Sequence, residues 1–73
     1  MKTLYHMATR GNLYSIALRQ DTTGFEIVEY KHGRLQGVAY LGLVERENAV
    51  TEYNKRIDDS AKYDQIYYTK AVI

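Results

Sequence analysis

The sequence predicts an α+β domain: an antiparallel meander of four strands, one α-helix packed on the sheet, and a C-terminal fifth strand, in the order β-β-β-β-α-β. Three observations predict it. Four segments rich in aromatic and β-branched residues are separated by turns that contain glycine. The apolar residues then change to helical spacing, and a tyrosine-rich segment follows. Nothing divides the chain, so residues 1–73 are interpreted as a single compact domain.

The turns set the bounds of the first four strands. Arg10-Gly11, Asp21 to Gly24 and His32-Gly33 each lie between two strand-like segments, where glycine supplies the positive φ that a hairpin turn requires. Gly37 weakens the fourth strand and marks either a bulge or the close approach of another backbone. The predicted strands span about residues 2–9, 12–20, 25–31 and 34–41.

The helix is predicted from Leu43 to Ile57. Val50 and Tyr53 share one sector of a helical wheel with these two end residues, and Arg46 is the only charged residue inside that sector. The sequence Asp58-Asp59-Ser60 predicts a turn out of the helix, followed by a fifth strand at about 63–72. That strand can lie parallel beside the fourth or antiparallel beside the first, and the sequence leaves both arrangements open.

The turns also predict which residues face each other across the strands. Two-residue loops at Arg10-Gly11 and His32-Gly33 and a four-residue loop at Asp21 to Gly24 fix every pair, and one pair joins opposite charges. The predicted pairs are Tyr5–Ile16, Met7–Tyr14, Leu18–Ile27, Arg19–Glu26, Lys31–Arg34, Val28–Gly37, Ile27–Val38 and Phe25–Tyr40.

This register makes both faces of the sheet largely apolar, although one helix covers only one face. The helix is assigned to the face with the branched and aromatic residues: Tyr5, Met7, Tyr14, Ile16, Leu18, Phe25, Ile27, Val38 and Tyr40. The second face holds Leu4, His6, Ala8, Leu13, Ser15, Ala17, Val28, Tyr30, Leu35, Ala39 and Leu41. A register slip of one residue, or a break at Gly37, is the alternative that would redistribute these side chains.

Size and composition favour association. A chain of 73 residues without cysteine gains nothing from disulfides or from a cysteine zinc site, so a homodimer or a larger protein partner is expected to stabilise it. The absence of cysteine is compatible with a cytoplasmic location. The net charge of +1 and the interspersed signs are typical of an ordinary solvated surface. No apolar segment is long enough for a membrane span or a secretory signal.

No residue pattern predicts catalysis, a cofactor or a metal. His6 and His32 lack the spacing of a metal site, and neither serine lies in a nucleophile motif. Asp58, Asp59 and Asp64 do not have the spacing of a calcium loop and are interpreted as a solvated turn. The sequence therefore predicts a protein that is not an enzyme.

The last predicted strand offers one alternative function. Tyr63, Gln65, Tyr67 and Thr69 would share a face, and aromatic residues on a sheet can stack single-stranded bases. The same tyrosines are also typical of half-buried strand positions or of a protein interface. Because the charge is nearly neutral, nucleic acid is the less favoured partner.

The sequence predicts a small non-enzymatic module that binds protein through an apolar, tyrosine-bearing sheet face, for example as a homodimer. Blocking or modulating a larger complex, as a phage-encoded inhibitor does, fits the size and the missing motifs, although no particular residue indicates it. The alternative is a single-stranded nucleic-acid-binding protein that uses the sheet tyrosines. The candidate partner-binding residues are Leu4, His6, Leu13, Val28, Tyr30, Leu35, Tyr63 and Tyr67.

Overall fold

The computed structural model describes residues 1–73 and confirms the predicted order of elements. One helix packs on a five-stranded antiparallel sheet. The strands are β1 (Lys2–Thr9), β2 (Tyr14–Asp21), β3 (Gly24–Lys31), β4 (Arg34–Gly42) and β5 (Tyr68–Ala71), and the helix α1 is Arg46–Asp64.

The strand order across the sheet is β4-β3-β2-β1-β5. The last strand therefore takes one of the two positions that the sequence left open, antiparallel beside β1. This arrangement makes β4 and β5 the two edge strands, and the nine-residue β4 is the longer of them.

The β2–β3 hairpin has the predicted register, and the β3–β4 hairpin has the predicted turn. Leu18 faces Ile27 and Arg19 faces Glu26, as predicted, although the connecting loop has only two residues between its paired ends. The β3–β4 turn is also a two-residue loop, with positive φ values of 53° at His32 and 74° at Gly33. Positive φ at both positions is the signature of the type I′ turn, whose twist suits an antiparallel hairpin.

The first hairpin differs from the prediction. Met7 faces Ile16 and not Tyr14, because the loop between β1 and β2 contains the four residues 10–13 and not two. A shift of two residues leaves every side chain on its predicted face, since the side chains of a strand alternate with a period of two. A bulge near Leu4 moves this residue to the helix side, where it packs against the core.

The predicted register is also wrong in β4 from Gly37 onward. A bulge shifts the pairing between Tyr30 and Glu29, so Val38 faces Val28 and Tyr40 faces Glu26. The shift of one residue moves Val38 and Tyr40 to the face opposite the helix. Ala39 and Leu41 take the helix side instead and pack against the core. The one-residue slip that the sequence left open as an alternative is thus the observed arrangement, with Gln36 next to Gly37 as the extra residue of the bulge.

The helix begins and ends later than predicted. β4 ends at Gly42, which has a φ of 77°, Leu43 lies in the connection, and α1 starts after Glu45. The acidic segment 58–60 does not form a turn, because Ser60 extends the buried stripe of the helix by another turn. The helix ends at Gln65, whose left-handed backbone allows the Ile66 N–H to donate to the Ser60 carbonyl at 3.0 Å.

The core lies between the helix and the sheet. The Tyr53 ring stacks on Tyr5 with centroids 6.0 Å apart, and its hydroxyl donates to the Ile16 carbonyl at 3.3 Å. This hydrogen bond gives the buried phenol the polar partner that it needs. The fully enclosed cluster consists of Ile16, Leu18, Phe25, Ile27, Ala49, Tyr53 and Tyr68.

One glycine fixes the end of β4 against the start of β3. Gly24 has a φ of 128°, and a Cβ atom there would overlap the Gly42 carbonyl and lie 2.7 Å from the Leu43 nitrogen. Only glycine permits this backbone approach. The contact holds the connection from β4 to the helix close to the β2–β3 turn.

Candidate functional site

The candidate site is the face of the sheet opposite α1, which we call the open face. Its side chains form three rows that run across the strands from β1 to β4, because the observed pairs place matching residues side by side. The rows are Thr3, Arg19, Glu26 and Tyr40; His6, Ala17, Val28 and Val38; and Ala8, Ser15, Tyr30 and Leu35.

On the part of the open face formed by β1, β2 and β3, the side chains shield one another from solvent. We call it the shielded part. Ala8, Ala17 and Val28 are at most 3% exposed although no second layer lies over them. The rings of His6 on β1 and Tyr30 on β3 approach each other across β2 to a centroid distance of 6.4 Å. Ala8, Ala17 and Val28 are therefore buried by the side chains of their neighbours on the same face.

A polar network completes this shielded part. The Arg19 Nη1 donates to the Tyr30 hydroxyl at 3.5 Å, and the Arg19 Nε lies 3.7 Å from a Glu26 carboxylate oxygen. The Nε2 atom of His6 is buried without a hydrogen-bond partner. The centre of the open face is thus a mixed polar and aromatic layer whose charges neutralise each other.

The margin of the open face along β4 has a different character. Leu35, Val38 and Tyr40 are 57%, 50% and 61% exposed. We call these three residues the β4 patch. The Tyr40 hydroxyl donates to the Thr23 carbonyl, which holds the ring over the neighbouring hairpin while leaving most of it in water. Leu43 and Val44 follow directly after the strand and are exposed as well.

The same three residues also have free backbone groups. Lys31 and Arg34 close a two-residue turn and therefore form a hydrogen-bonded pair. Hydrogen-bonded and non-hydrogen-bonded pairs alternate along an antiparallel ladder, and the β4 patch residues occupy the non-hydrogen-bonded pairs. Their N–H and C=O groups therefore point away from β3. No strand lies beside β4 on that side.

The structure brings only part of the predicted site together. His6 and Tyr30 lie half-buried on the open face, and Leu35 lies exposed at its margin. Val28 lies on this face but is 1% exposed, so it supports the surface and does not form it. The others lie elsewhere: Leu4 on the helix side, Leu13 in the β1–β2 loop, Tyr63 on α1, and Tyr67 between α1 and β5.

Sequence reasoning missed Val38 and Tyr40 as surface residues. It placed them under the helix because the register assumed an unbroken β4. The signal that could have found them was Gly37, whose place inside a strand indicated a bulge and hence a reversal of faces for the residues that follow.

The groove between α1 and β3 is open and lined by both signs, including Glu29, Lys55, Arg56 and Asp59. Arg56 lies 4.0 Å from Glu29, so part of this charge is already paired. No group of three or more His, Asp or Glu side chains is close enough together to hold a metal ion.

Three groups have shifted pKa values, and each shift has a structural cause. The Thr23 hydroxyl and N–H donate to the Asp21 carboxylate at 2.6 and 2.8 Å and lower its pKa, which stabilises the β2–β3 turn. Burial raises the pKa of Tyr53 and that of Tyr68 to about 12. Both tyrosines belong to the core, so these shifts describe packing and not a reacting group.

The tyrosine platform that the nucleic-acid alternative requires is not formed. Tyr63 is part of α1, Gln65 has a left-handed backbone at the end of the helix, and Tyr67 precedes β5. These side chains therefore do not follow one strand at alternate positions. Binding of single-stranded nucleic acid stays a prediction, without the surface from which it was derived.

Comparison with protein-family models, curated proteins and solved structures finds no match for this chain. No helix in the structure combines the length and apolar composition needed to cross a membrane.

Proposed function

We propose that this protein is a small non-enzymatic module that binds another protein through the open face of its sheet, with the β4 patch at the centre of the contact. The observation that supports this proposal is the joint exposure of Leu35, Val38 and Tyr40 along one strand. Contiguous exposed apolar residues bordered by polar ones are typical of interaction surfaces.

The chemistry of the patch favours a protein partner. No charged residue lies between Leu35 and Val44, and the nearest charges on the face, Arg19 and Glu26, pair with each other. A nucleic acid or a membrane surface would instead favour unpaired basic residues. A partner with apolar and aromatic side chains of its own matches this composition.

The shielded part of the open face borders the β4 patch with side chains that are held in place by contacts. Tyr30 is fixed by contacts with Arg19 and His6, so its ring is already ordered before a partner arrives. Tyr40 is held by its hydrogen bond to Thr23. Ordered aromatic side chains lose little conformational entropy on binding, which makes them effective contact residues.

Binding of this kind needs no chemical step. By occupying an apolar surface on a larger complex, a module of 73 residues blocks or modulates that complex. We therefore propose an inhibitor or modulator as the biological role that accompanies the binding function.

Site-specific photo-crosslinking tests the proposal. A benzophenone amino acid replaces Tyr40 in one variant and Tyr63 in a matched control, since both tyrosines are largely exposed but only Tyr40 lies on the open face. After irradiation in the native cell, we expect a discrete adduct with another protein at position 40. Excess unlabelled wild-type protein should suppress that adduct, whereas excess Leu35→Glu should suppress it at least tenfold less effectively.

Two results would contradict the proposal. One is the absence of any adduct at position 40 together with a discrete protein adduct at position 63, which would place the binding surface on α1. The other is equal suppression by the wild type and Leu35→Glu, provided that both variants give the same circular dichroism spectrum.

A further inference from the structure

We infer that the free edge of β4 pairs with β4 of a second copy of this chain, antiparallel and about a two-fold axis near Ala39, to form one continuous sheet of ten strands. The edge is distinct from the open face. A strand added at an edge lies in the plane of the sheet and leaves both faces accessible. The inference therefore stands independently of the proposed function.

The first argument is that, apart from its bulges, β4 lacks the usual protection of an edge strand. Natural edge strands are commonly short, bulged, or rich in lysine or proline, which prevents pairing with other chains. The bulges of β4 lie on either side of Val38, Ala39 and Tyr40, and these three residues pair regularly with β3. This strand has nine residues, and its only charge is at its first residue, Arg34. The ten residues 35–44 are the longest uncharged stretch in the chain. The edge is therefore suited to being covered.

The second argument is symmetry. Val38 and Tyr40 flank Ala39 and are both residues whose N–H and C=O groups point outward. An antiparallel pair of strands centred on Ala39 places Val38 of one copy opposite Tyr40 of the other. The two-fold axis generates this pair a second time. Each such pair exchanges two backbone hydrogen bonds and brings a β-branched side chain beside an aromatic one, a favourable cross-strand combination.

The third argument is that the flanks match in character. Leu35 and Leu43 lie four residues on either side of Ala39 and are 57% and 84% exposed, so each approaches the other across the axis. Beyond them, the same axis places Arg34 opposite Val44 and Gly33 opposite Glu45, so no two charges of the same sign face each other. A shift of the axis would lose the match between Leu35 and Leu43.

The size of the contact sets its strength. A standard interface buries roughly 800 Å² on each partner, which is a large share of the 5002 Å² surface of this chain. Pairing through one edge buries less, so we expect a dimer in rapid exchange with a dissociation constant in roughly the micromolar to millimolar range. The pair presents two β4 patches side by side on one face.

Solution mass and amide protection test the inference on the purified protein alone. Sedimentation equilibrium should show the mass rising with concentration from 8.5 kDa towards twice that value. Over the same range, NMR-detected hydrogen exchange should slow at least tenfold at the amides of Val38 and Tyr40, while the amides of β5 do not change. A mass of one protomer up to millimolar concentration would overturn the inference. A dimer without protection at these two amides would overturn it as well.

Two proline variants form a matched pair. Val38→Pro removes an outward N–H from β4, and Ala71→Pro removes an outward N–H from the opposite edge, β5. We expect Val38→Pro to remain a monomer and Ala71→Pro to associate like the wild type. Association of a folded Val38→Pro variant would contradict edge pairing. If that variant does not fold, the amide measurement on the wild type decides alone.

The two proposals fail in different experiments. The mass and exchange measurements contain no other protein, so a monomeric result leaves the protein-binding face untouched. Crosslinking at position 40 that yields only the protein itself would support pairing and remove the proposed function.

Discussion

The two faces of this sheet contain similar numbers of apolar residues but bury them in different ways. On the helix side, Ile16, Leu18 and Ile27 lie beneath α1 with at most 1% of their surface exposed. On the open face, Ala17 and Val28 are almost as buried, yet only neighbouring side chains cover them. The difference lies in what covers them, which is the helix on one side and neighbouring side chains such as His6 and Tyr30 on the other.

The cover over the open face ends at β4. Across β1 to β3, residues such as His6, Arg19 and Tyr30 provide the cover. At β4 no further strand continues the rows, so Val38 and Tyr40 remain exposed. An apolar face without a helix is therefore not necessarily a binding surface, and here only its margin is proposed as one.

Matched leucine truncations should show the largest contrast between the two regions. Leu18→Ala empties space in the enclosed core, and we expect the free energy of unfolding to fall by about 2–5 kcal/mol. Leu35→Ala removes the same atoms from a side chain that is 57% exposed, and we expect a change within about 0.5 kcal/mol. Urea denaturation followed by circular dichroism, at a concentration where the protein is monomeric, measures both.

Equal losses for the two variants would show that the β4 margin is buried within the single chain. The core variant is expected to be close to unfolding already in water, since a domain of this size has a total stability of only a few kcal/mol. If it unfolds completely, Leu18→Val provides a smaller change at the same position.

The helix-side face was largely predictable because its signals are local. The Arg19–Glu26 charge pair and the Asp21 to Gly24 turn fixed the β2–β3 register, and the spacing of Val50 and Tyr53 indicated a helix. An error of two residues in the first hairpin changed no face assignment, since the alternation of a strand has a period of two.

The β4 margin and the end of the helix were not predictable to the same degree. A bulge depends on how β4 fits its neighbour, and Gly37 indicated only that a break was available. The acidic segment Asp58-Asp59 suggested a turn. Ser60 is instead buried on the inner side of α1, and the helix continues to Asp64. Tertiary contacts override local preferences at both places.

Alkaline pH should weaken the helix-side face. Burial raises the pKa of Tyr53 and of Tyr68 from 10 to about 12. Below pH 10 both phenols are neutral in the folded and the unfolded chain, so their contribution is fully present. Between pH 10 and 12 the unfolded chain ionises first, and the free energy of unfolding should fall by roughly 2 kcal/mol for each tyrosine. Urea denaturation at several pH values measures the slope.

Two single variants assign that slope. Tyr53→Phe and Tyr68→Phe each remove one ionisable phenol, and each should make the decline between pH 10 and 12 shallower than in the wild type. Tyr53→Phe also leaves the Ile16 carbonyl without its phenolic donor, which should lower stability at neutral pH by about 1 kcal/mol. A decline as steep as that of the wild type in both variants would contradict the assignment.

The smallest expected effect compares one ion pair from each face. Arg19 and Glu26 on the open face are 30% and 19% exposed and 3.7 Å apart, whereas Arg56 and Glu29 on the helix side are 42% and 33% exposed and 4.0 Å apart. Double-mutant cycles with Arg→Met and Glu→Gln changes should give a coupling of about 0.5–1 kcal/mol for the first pair and about 0–0.3 kcal/mol for the second. Arg19 is better ordered because it also donates to Tyr30.

Adding 0.5 M salt should reduce the weaker coupling first, since more exposed charges are screened more. Equal couplings would show that Arg19 and Glu26 are no better ordered than an ordinary surface ion pair. That result would contradict the proposal that they hold an ordered border beside the β4 patch.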